Sequence, residues 1–256
     1  MRCSFPEILD FIKIMNRMAN PEQTTALEEA ASKADVDPFK VLITTILSQR
    51  TKDENTRKAS DSLFTHYRNA ASLANASTRH IEELIRPSGF YRVKARSIIS
   101  AARRLVKDYN GEVPRELEKL LELPSVGRKT ANCVLVYGFR IPAIPVDTHV
   151  HRIANRLAIV NTKAPEETEL ELRENVAQKY WLSLNEEFVM FGQRVCRPVR
   201  PRCIICKLKR CCSWYRSHRA AGEILWSVEE EPIKKKISTS SRRSASRHEI
   251  LDSSCL

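Results

Sequence analysis

Glycine is scarce in this 256-residue sequence, which has only six, and runs that alternate apolar with polar residues are few. Both deficits argue against a sheet-rich fold, because strands carry that alternation and their turns use glycine. The sequence also lacks an apolar stretch long enough to span a membrane, and its opening MRCSFPEILD has no apolar secretory core. We therefore expect a protein that is neither secreted nor membrane-bound. We expect it in a reducing compartment, either the cytoplasm and nucleoid of a bacterium or the nucleus of a eukaryote.

Acidic residues are outnumbered, with 31 Asp and Glu against 43 Lys and Arg, which gives a net charge of +12 and a pI near 9.5. This surplus indicates a polyanionic partner, and nucleic acid is the commonest one. Charge alone does not distinguish DNA, RNA and an acidic membrane. The length allows one large domain or two small ones.

Apolar residues recur with helical spacing almost throughout the chain, so the sequence predicts an all-α fold of eight to ten helices. In DPFKVLITTILSQRT, Asp37 is placed to cap a half-buried helix that has Pro38 in its first position. A second amphipathic run over 92–108 stops at Asn110-Gly111, a usual C-terminal signal. The residues expected to face inward are Phe39, Leu42, Ile43, Ile46 and Leu47 in the first helix, and Ile98, Ile99, Ala102, Leu105 and Val106 in the second. Further helical runs lie near 54–66, 79–86, 115–123, 129–138, 148–158 and 168–192.

Residues 227–256 differ in character, because they contain eight serines and several basic clusters but few large apolar side chains. Such a segment cannot bury enough surface to offset its chain entropy. It is predicted to be a disordered basic tail. A role in scanning DNA, a targeting signal and a merely solubilising extension all fit this composition.

Four cysteines near the C-terminal end have the spacing C-x6-C-x2-C-x5-C inside one 17-residue window. Short intervals of this kind allow four sulfurs to converge on a zinc ion or on a [4Fe-4S] cluster. Disulfides are the alternative, which a reducing compartment disfavours. Cys211 competes for the last position, and Cys3, Cys133 and Cys255 lie outside the window. The four cysteines that fit the spacing are Cys196, Cys203, Cys206 and Cys212.

The segment over 120–157 carries the most specific chemistry. An apolar helix ends at Pro124, a tight turn follows at Ser125-Val126-Gly127, and a second helix begins at Arg128. The free backbone N–H groups of such a turn and the positive end of the second helix bind one phosphate. On a duplex this device grips the backbone and reads no sequence.

Lys129 lies in the first turn of that second helix, where it is either a surface lysine or an amine nucleophile. A nucleophile near neutral pH would need its pKa to fall from ~10.4 to near 8, roughly 3 kcal/mol, of which the helix dipole supplies only ~0.3–1. Burial would have to supply the rest. Asp147 heads the helix THVHRIANRL and is either a plain N-cap or a carboxylate that shares a cavity with Lys129. His149 and His151 are interpreted as surface residues.

The motifs LPSVGRKTANCVL and VDTHVHRIANR, followed by the four-cysteine window, together resemble the endonuclease III family of base-excision DNA glycosylases. The similarity extends from about 39 to 212. It implies an all-helical protein with a six-helix barrel over 31–141 that bears the helix-hairpin-helix. It also implies a second domain, built from 1–30 and 142–215 around a [4Fe-4S] cluster, and a monomer that binds double-stranded DNA in the cleft.

The resemblance also implies roles for individual residues. Lys129 matches the nucleophile, Asp147 matches the essential aspartate, and the four spaced cysteines match the cluster ligands. The family removes oxidised or ring-saturated pyrimidines and then cleaves the strand at the abasic site. The lysine is what the second step needs.

Further residues are expected to touch DNA. Arg50 stands where many members have a glutamine that fills the hole left by the flipped base, and Phe90 replaces a wedging aliphatic residue; both side chains are suited to invade a base stack. Ser125 replaces the first glycine of the family's turn, which puts the hairpin conformation in question. The remaining expected contacts are Val126, Gly127 and Arg128 of the turn, and Arg197, Arg200 and Arg202 of the loop between the first two ligands.

Two other functions stay open on the sequence alone. A monofunctional mismatch glycosylase of the same superfamily can carry the same cysteine spacing, but it typically lacks a lysine at position 129. A non-catalytic DNA-binding protein stabilised by a metal centre would explain the charge and the cysteines. It would give no reason for Lys129 and Asp147 to meet.

Overall fold

The computed structural model describes residues 3–19 and 36–220, which form helices joined by short loops without a strand in either range. This part of the chain has twelve α-helices where eight to ten were predicted. The difference arises because Phe5–Ala19, Ala70–Ala74 and Ser213–Ala220 were not among the predicted runs and the run over 168–192 forms two helices. The predicted tail over 227–256 lies outside the described residues. The helices are α1 (Phe5–Ala19), α2 (Pro38–Ser48), α3 (Asp53–His66), α4 (Ala70–Ala74), α5 (Thr78–Leu84), α6 (Tyr91–Tyr109), α7 (Leu117–Leu121), α8 (Arg128–Cys133), α9 (Thr148–Arg156), α10 (Pro165–Asn175), α11 (Trp181–Arg194) and α12 (Ser213–Ala220).

Three shorter helical segments complete the described chain: a π-helical turn at Val134–Gly138, which continues α8, and 3-10 turns at Gln178–Tyr180 and Lys207–Arg210. Among the described helices, none is long and apolar enough to cross a membrane.

Helix α2 begins as predicted. The Asp37 side chain accepts hydrogen bonds from the backbone N–H groups of Phe39 (2.9 Å) and Lys40 (3.4 Å), and Pro38 occupies the first helical position. The expectation of half burial is wrong, because α3, α6, α8 and the π-helical turn all pack against α2. Every residue over 41–47 is buried, so this helix lies at the centre of a core.

Helix α6 ends at Asn110-Gly111, as predicted. Both residues are left-handed, with φ of 53° and 85°, and the Gly111 N–H donates to Leu105 O at 2.9 Å. Four of the five residues expected to face inward are buried. Val106 is the exception at 40% exposure, because it lies at the flank of the apolar stripe.

The single helix predicted over 168–192 is in fact two helices, α10 and α11. Between them Val176 is extended, with φ −118° and ψ 123°, and its side chain is buried. The Trp181 indole N–H donates to the Val176 carbonyl at 2.8 Å. This buried contact overrides the helical periodicity of the run.

Buried apolar residues form two clusters. The first is drawn from residues over 39–143. The second combines residues over 8–15 of α1 with residues over 144–208, and α1 packs against α11 within it. Ala143 is the last residue of the first cluster, and Ile144 belongs to the second. The division into a barrel domain over 31–141 and a second domain from 1–30 and 142–215 remains a proposal.

Candidate active site and cysteine cavity

The turn between α7 and α8 forms the predicted hairpin. Ser125 adopts a φ of 64°, in the left-handed region that favours glycine, and its hydroxyl donates to Ser97 Oγ at 2.8 Å. Gly127 is the N-cap of α8, and its carbonyl accepts a hydrogen bond from the Ala131 N–H at 2.9 Å. The serine therefore adopts the conformation for which related turns use glycine.

Two residues of this turn that were predicted to bind DNA use their side chains elsewhere. Val126 is buried, and its N–H donates to Leu123 O at 3.1 Å. The Arg128 guanidinium donates to both carboxylate oxygens of Glu169, at 2.7 and 3.3 Å, and the Glu169 side chain is only 3% exposed. The hydrogen bond to Glu169 raises the pKa of Arg128. The predicted DNA contacts of this turn stay predictions. The part of the turn that is exposed and could make them is the backbone at Gly127.

Lys129 lies in the first turn of α8 and is partly exposed, one helical turn before the buried thiol of Cys133. Attraction to the Cys133 sulfur and then to the Asp147 carboxylate raises the pKa of Lys129, although burial acts in the opposite direction. Lys129 and Asp147 are thus within electrostatic range of each other. That they share one cavity stays a prediction. Asp53, at the start of α3, adds to the same field.

The net shift raises the pKa of Lys129, so burial does not supply the lowering that a free amine at neutral pH would need. Burial also raises the pKa of the Cys133 thiol, whereas attraction to the Lys129 ammonium acts in the opposite direction, so the protonation of each group depends on the other. In the free protein Lys129 is therefore an ammonium ion that must lose its proton before it can attack. Cys133 was missed as a neighbour of Lys129, although its spacing of four residues on a predicted helix indicates contact.

Asp147 caps α9, as predicted, because Oδ1 accepts hydrogen bonds from the N–H groups two and three residues later, at 2.8 and 2.9 Å. Two buried amides hold the extended segment before it. The Asn132 Nδ2 donates to Ile144 O at 3.3 Å, and the Asn185 Nδ2 donates to Pro145 O at 2.7 Å. These two amides were not predicted. A polar residue inside an apolar run was the only sign of them.

The two histidines of α9 are partly buried, so their interpretation as surface residues is wrong. Burial lowers the pKa of His149. Its Nδ1 lies 3.0 Å from an Arg152 nitrogen, and Gly192 approaches so closely that a Cβ there would lie 2.6 Å from the same ring atom. The His151 Nδ1 lies 2.6 Å from Thr168 Oγ1. Both rings are occupied in packing helices together.

The predicted wedge residues, Arg50 and Phe90, lie side by side. The Arg50 guanidinium carbon is 5.8 Å from the centre of the Phe90 ring, and Phe90 is 62% exposed. The loop of Arg50 is tied to the hairpin, because Gln49 Nε2 donates to Ser125 O and to Thr130 Oγ1, both at 3.3 Å. The structure therefore places the two wedge candidates next to the turn that precedes the catalytic lysine candidate.

The four cysteines of the predicted ligand set, Cys196, Cys203, Cys206 and Cys212, line one cavity.

Arg156 of α9 supports the loop at this cavity. Its guanidinium donates to Cys196 Sγ at 3.4 Å and to Arg197 O at 2.7 Å, and it lies 4.4 Å from the Trp214 ring centre. Helix α9 thus connects Asp147 to the cysteine loop. The arginines predicted to meet phosphates, Arg197, Arg200 and Arg202, are all exposed on this loop.

The chemistry of these cysteines fits a metal centre. Burial raises the pKa of Cys203 to about 11 and of Cys206 to about 12, and it also raises the pKa of Cys212. A metal centre binds such groups as thiolates and displaces their protons. Within residues 3–19 and 36–220, no three His, Cys, Asp or Glu side chains are arranged to hold a metal ion. The four sulfurs nevertheless line one cavity.

The adjacent residues Cys211 and Cys212 have different surroundings. Cys212 lines the cavity, whereas Cys211 forms a disulfide with Cys3, before α1. This difference favours Cys212 as the fourth ligand, as the spacing predicts. The disulfide involves none of the four spaced cysteines, so it does not compete with a metal centre for them.

Comparisons with known proteins agree with this fold. Residues 43–178 match the HhH-GPD superfamily of base excision DNA repair proteins. Endonuclease III of Thermotoga maritima is 52% identical over 190 residues, which are 74% of this chain and 89% of that protein. A solved structure of a trapped covalent endonuclease III–DNA intermediate has a TM-score of 0.72 and 31% identity, covering 85% of this chain and 99% of that one.

A thermostable thymine-DNA glycosylase has a similar fold, with a TM-score of 0.71 and 25% identity, and the match covers 83% of this chain and 96% of that one. The predicted all-helical helix-hairpin-helix glycosylase fold is thereby confirmed. The higher identity to endonuclease III, over most of both chains, decides between the two relatives. This protein belongs to the endonuclease III family of the HhH-GPD superfamily.

Proposed function

We propose that this protein is a bifunctional DNA glycosylase, which removes oxidised pyrimidines and then cleaves the strand as a lyase at the abasic site. The observation that carries the proposal is a lysine at position 129, directly after the hairpin turn and within the field of Asp147. Membership of the family supplies the substrate class. The lysine supplies the amine that strand cleavage requires.

Lys129 is the nucleophile in this proposal. Its amine attacks C1′ of the flipped nucleotide, and the bond from C1′ to the base breaks as the base leaves with a proton. The C1′–O4′ bond of the sugar ring then opens, which leaves a Schiff base between C1′ and the lysine nitrogen. Loss of a proton from C2′ then allows β-elimination of the 3′ phosphate. Because Lys129 is protonated in the free protein, a base must first take its proton, and Asp147 is the carboxylate fixed nearby for this step.

Double-stranded DNA containing damaged bases or abasic sites is the proposed partner. Base flipping costs a few kcal/mol and is least costly at a damaged base. Arg50 and Phe90 would fill the gap in the stack, while the hairpin turn and the exposed arginines over 197–202 would meet phosphates. A single copy of the chain provides both Lys129 and Asp147, and we propose that the protein acts as a monomer.

A [4Fe-4S] cluster is the cofactor that we propose for the cysteine cavity, held by Cys196, Cys203, Cys206 and Cys212. The cluster would cross-link the end of α11, the arginine-bearing loop and the start of α12, and bond cleavage would stay with the side chains near Lys129. Analysis of iron and inorganic sulfide in the purified protein tests this assignment. One tightly bound zinc without sulfide would contradict it.

Borohydride trapping and strand cleavage test the activity on duplexes that carry a thymine glycol, a uracil, a G·T mismatch or an abasic site. We expect covalent adducts and cleaved strands with thymine glycol and with the abasic site, and neither product with a Lys129→Gln control. Base loss at G·T without strand cleavage would instead indicate a monofunctional mismatch glycosylase. Tight binding without any product would indicate a non-catalytic DNA-binding protein.

A further inference from the structure

A buried lysine connects the two loops that carry the wedge candidates. Lys94 of α6 is only 5% exposed, and its ammonium group lies within hydrogen-bonding distance of four oxygens. These are Leu47 O (2.6 Å), Gln49 O (2.6 Å), Thr51 Oγ1 (2.7 Å) and Ser88 Oγ (2.9 Å). None of the four carries a charge, and burial of a cation without a counter-charge is costly. Burial lowers the pKa of Lys94 to about 8.

The same two loops also contact each other directly. The Gly89 N–H donates to Thr51 Oγ1 at 3.1 Å, and the Ser88 hydroxyl donates to Leu47 O at 3.1 Å. A Cβ on Gly89 would lie 2.8 Å from Arg50 O, which is too close for any residue but glycine. Because backbone lies against backbone here, the position of one loop fixes the position of the other.

Arg50 and Phe90 are the side chains that these loops present to solvent. Both residues adopt the left-handed conformation, with φ of 52° and 59°, which is unfavourable for residues with a Cβ. Each therefore depends on its surroundings to hold it in place. The guanidinium of Arg50 over the exposed ring of Phe90 joins the two into one surface feature.

We propose that Arg50 and Phe90 act as one preassembled wedge, and that Lys94 is the positioning residue that holds their two loops together. The inference rests on the proposed function, because a wedge needs a duplex from which a damaged base is flipped. Lys94 itself lies beneath the wedge and is not a catalytic residue. Its loss should impair opening of the duplex and spare bond cleavage at Lys129.

The test compares Lys94→Met, which keeps most of the length of the side chain but removes its charge, with Leu105→Ala as a control. Leu105 is fully buried on the same helix but outside the loop network. Both variants are assayed at a temperature at which thermal melts show them folded. Single-turnover excision of thymine glycol from a duplex requires the wedge, whereas cleavage at an abasic site in single-stranded DNA does not.

We expect Lys94→Met to slow duplex excision by about tenfold or more and to leave single-strand cleavage within about twofold. It should also reduce the fluorescence increase of 2-aminopurine placed opposite an abasic-site analogue, a readout that needs no catalysis. The Leu105→Ala control should change neither the rate of duplex excision relative to single-strand cleavage nor the fluorescence increase of 2-aminopurine. Equal behaviour of Lys94→Met and the control, or a parallel loss on both substrates, would overturn the role of Lys94. If the unmodified protein cleaved neither substrate, the proposed function itself would fail.

A double-mutant cycle tests the single wedge separately. If Arg50 and Phe90 act together, Arg50→Ala and Phe90→Ala should each slow duplex excision, and the double variant should be little slower than either. Fully additive losses would overturn the proposal that they form one unit. Should Lys94→Met fail to fold, Thr51→Val and Ser88→Ala each remove one acceptor and should give smaller losses of the same kind.

Discussion

The ion pair between Arg128 and Glu169 leads to a prediction that separates stability from DNA binding. Arg128 begins α8, beside the phosphate-binding turn, and a basic residue there is naturally expected to contact DNA. Its guanidinium is nevertheless held by two hydrogen bonds to the almost fully buried Glu169. We therefore predict that Arg128→Met chiefly destabilises the protein and leaves its affinity for DNA nearly unchanged.

The structure sets the expected size of the loss. Removal of one partner from a fully buried ion pair costs ~3–5 kcal/mol, because the other charge is left buried and unpaired. Here the Arg128 side chain is 32% exposed, and Arg173 remains 3.7 Å from the Glu169 carboxylate. Both facts reduce the loss to about 2–3 kcal/mol. For a domain of this size, that loss lowers Tm by roughly 4–12 °C.

Thermal unfolding and the salt dependence of DNA affinity provide the assay. A second variant, Arg128→Met with Glu169→Leu, should recover most of the lost stability, because apolar residues replace a buried ion pair with little cost. In both variants the slope of log affinity against log salt should stay unchanged, whereas loss of one phosphate contact reduces it by about 1. An unchanged Tm together with a reduced slope would refute the reasoning.

Three further predictions concern the lysine site and the cysteines. Asp147→Asn should abolish base excision while thermal melts stay nearly unchanged, because Asn caps a helix about as well as Asp; a variant that merely unfolds would remove the catalytic role. Since attraction to Cys133 and Asp147 raises the pKa of Lys129, the rate of borohydride trapping at an abasic site should increase with pH, and Cys133→Ala should move this increase to lower pH. A pH profile that does not move would show that the thiol has no such influence. Cys212→Ser should yield protein without iron–sulfur absorbance, whereas Cys211→Ser should keep this absorbance. Cys211→Ser should lose only the cross-link to Cys3, and the resulting loss of stability should disappear when both proteins are compared in reductant. Loss of the absorbance in Cys211→Ser but not in Cys212→Ser would make Cys211 the ligand.

Features that depend on neighbouring residues could be predicted from the sequence. The Asp37 cap, the stop at Asn110-Gly111 and the Asp147 cap each need only a few consecutive residues, and all three are present. Periodicity likewise located most helices. The hairpin turn was predictable in the same way, although a serine occupies its left-handed position.

Features that depend on distant residues could not be predicted. The break at Val176 follows from tertiary packing, and Glu169 reaches Arg128 across 41 positions. The network of Lys94 joins segments that lie more than forty residues apart, so its spacing leaves no local pattern. The direction of the pKa shift of Lys129 also depends on its three-dimensional surroundings, which place a thiol and carboxylates around the amine.

The identity of the nucleophile is the central claim, and peptide mapping of the borohydride-trapped complex tests it most directly. The protein would react with a thymine glycol duplex in the presence of sodium borohydride, which reduces the Schiff base to a stable adduct. The adduct would then be digested, and its peptides would be sequenced by mass spectrometry. We predict a single deoxyribose-derived adduct on Lys129. Lys94 is the informative alternative, because its pKa is lowered to about 8 and pKa alone would favour it as the free amine. An adduct on Lys94, or no adduct on Lys129, would contradict the account.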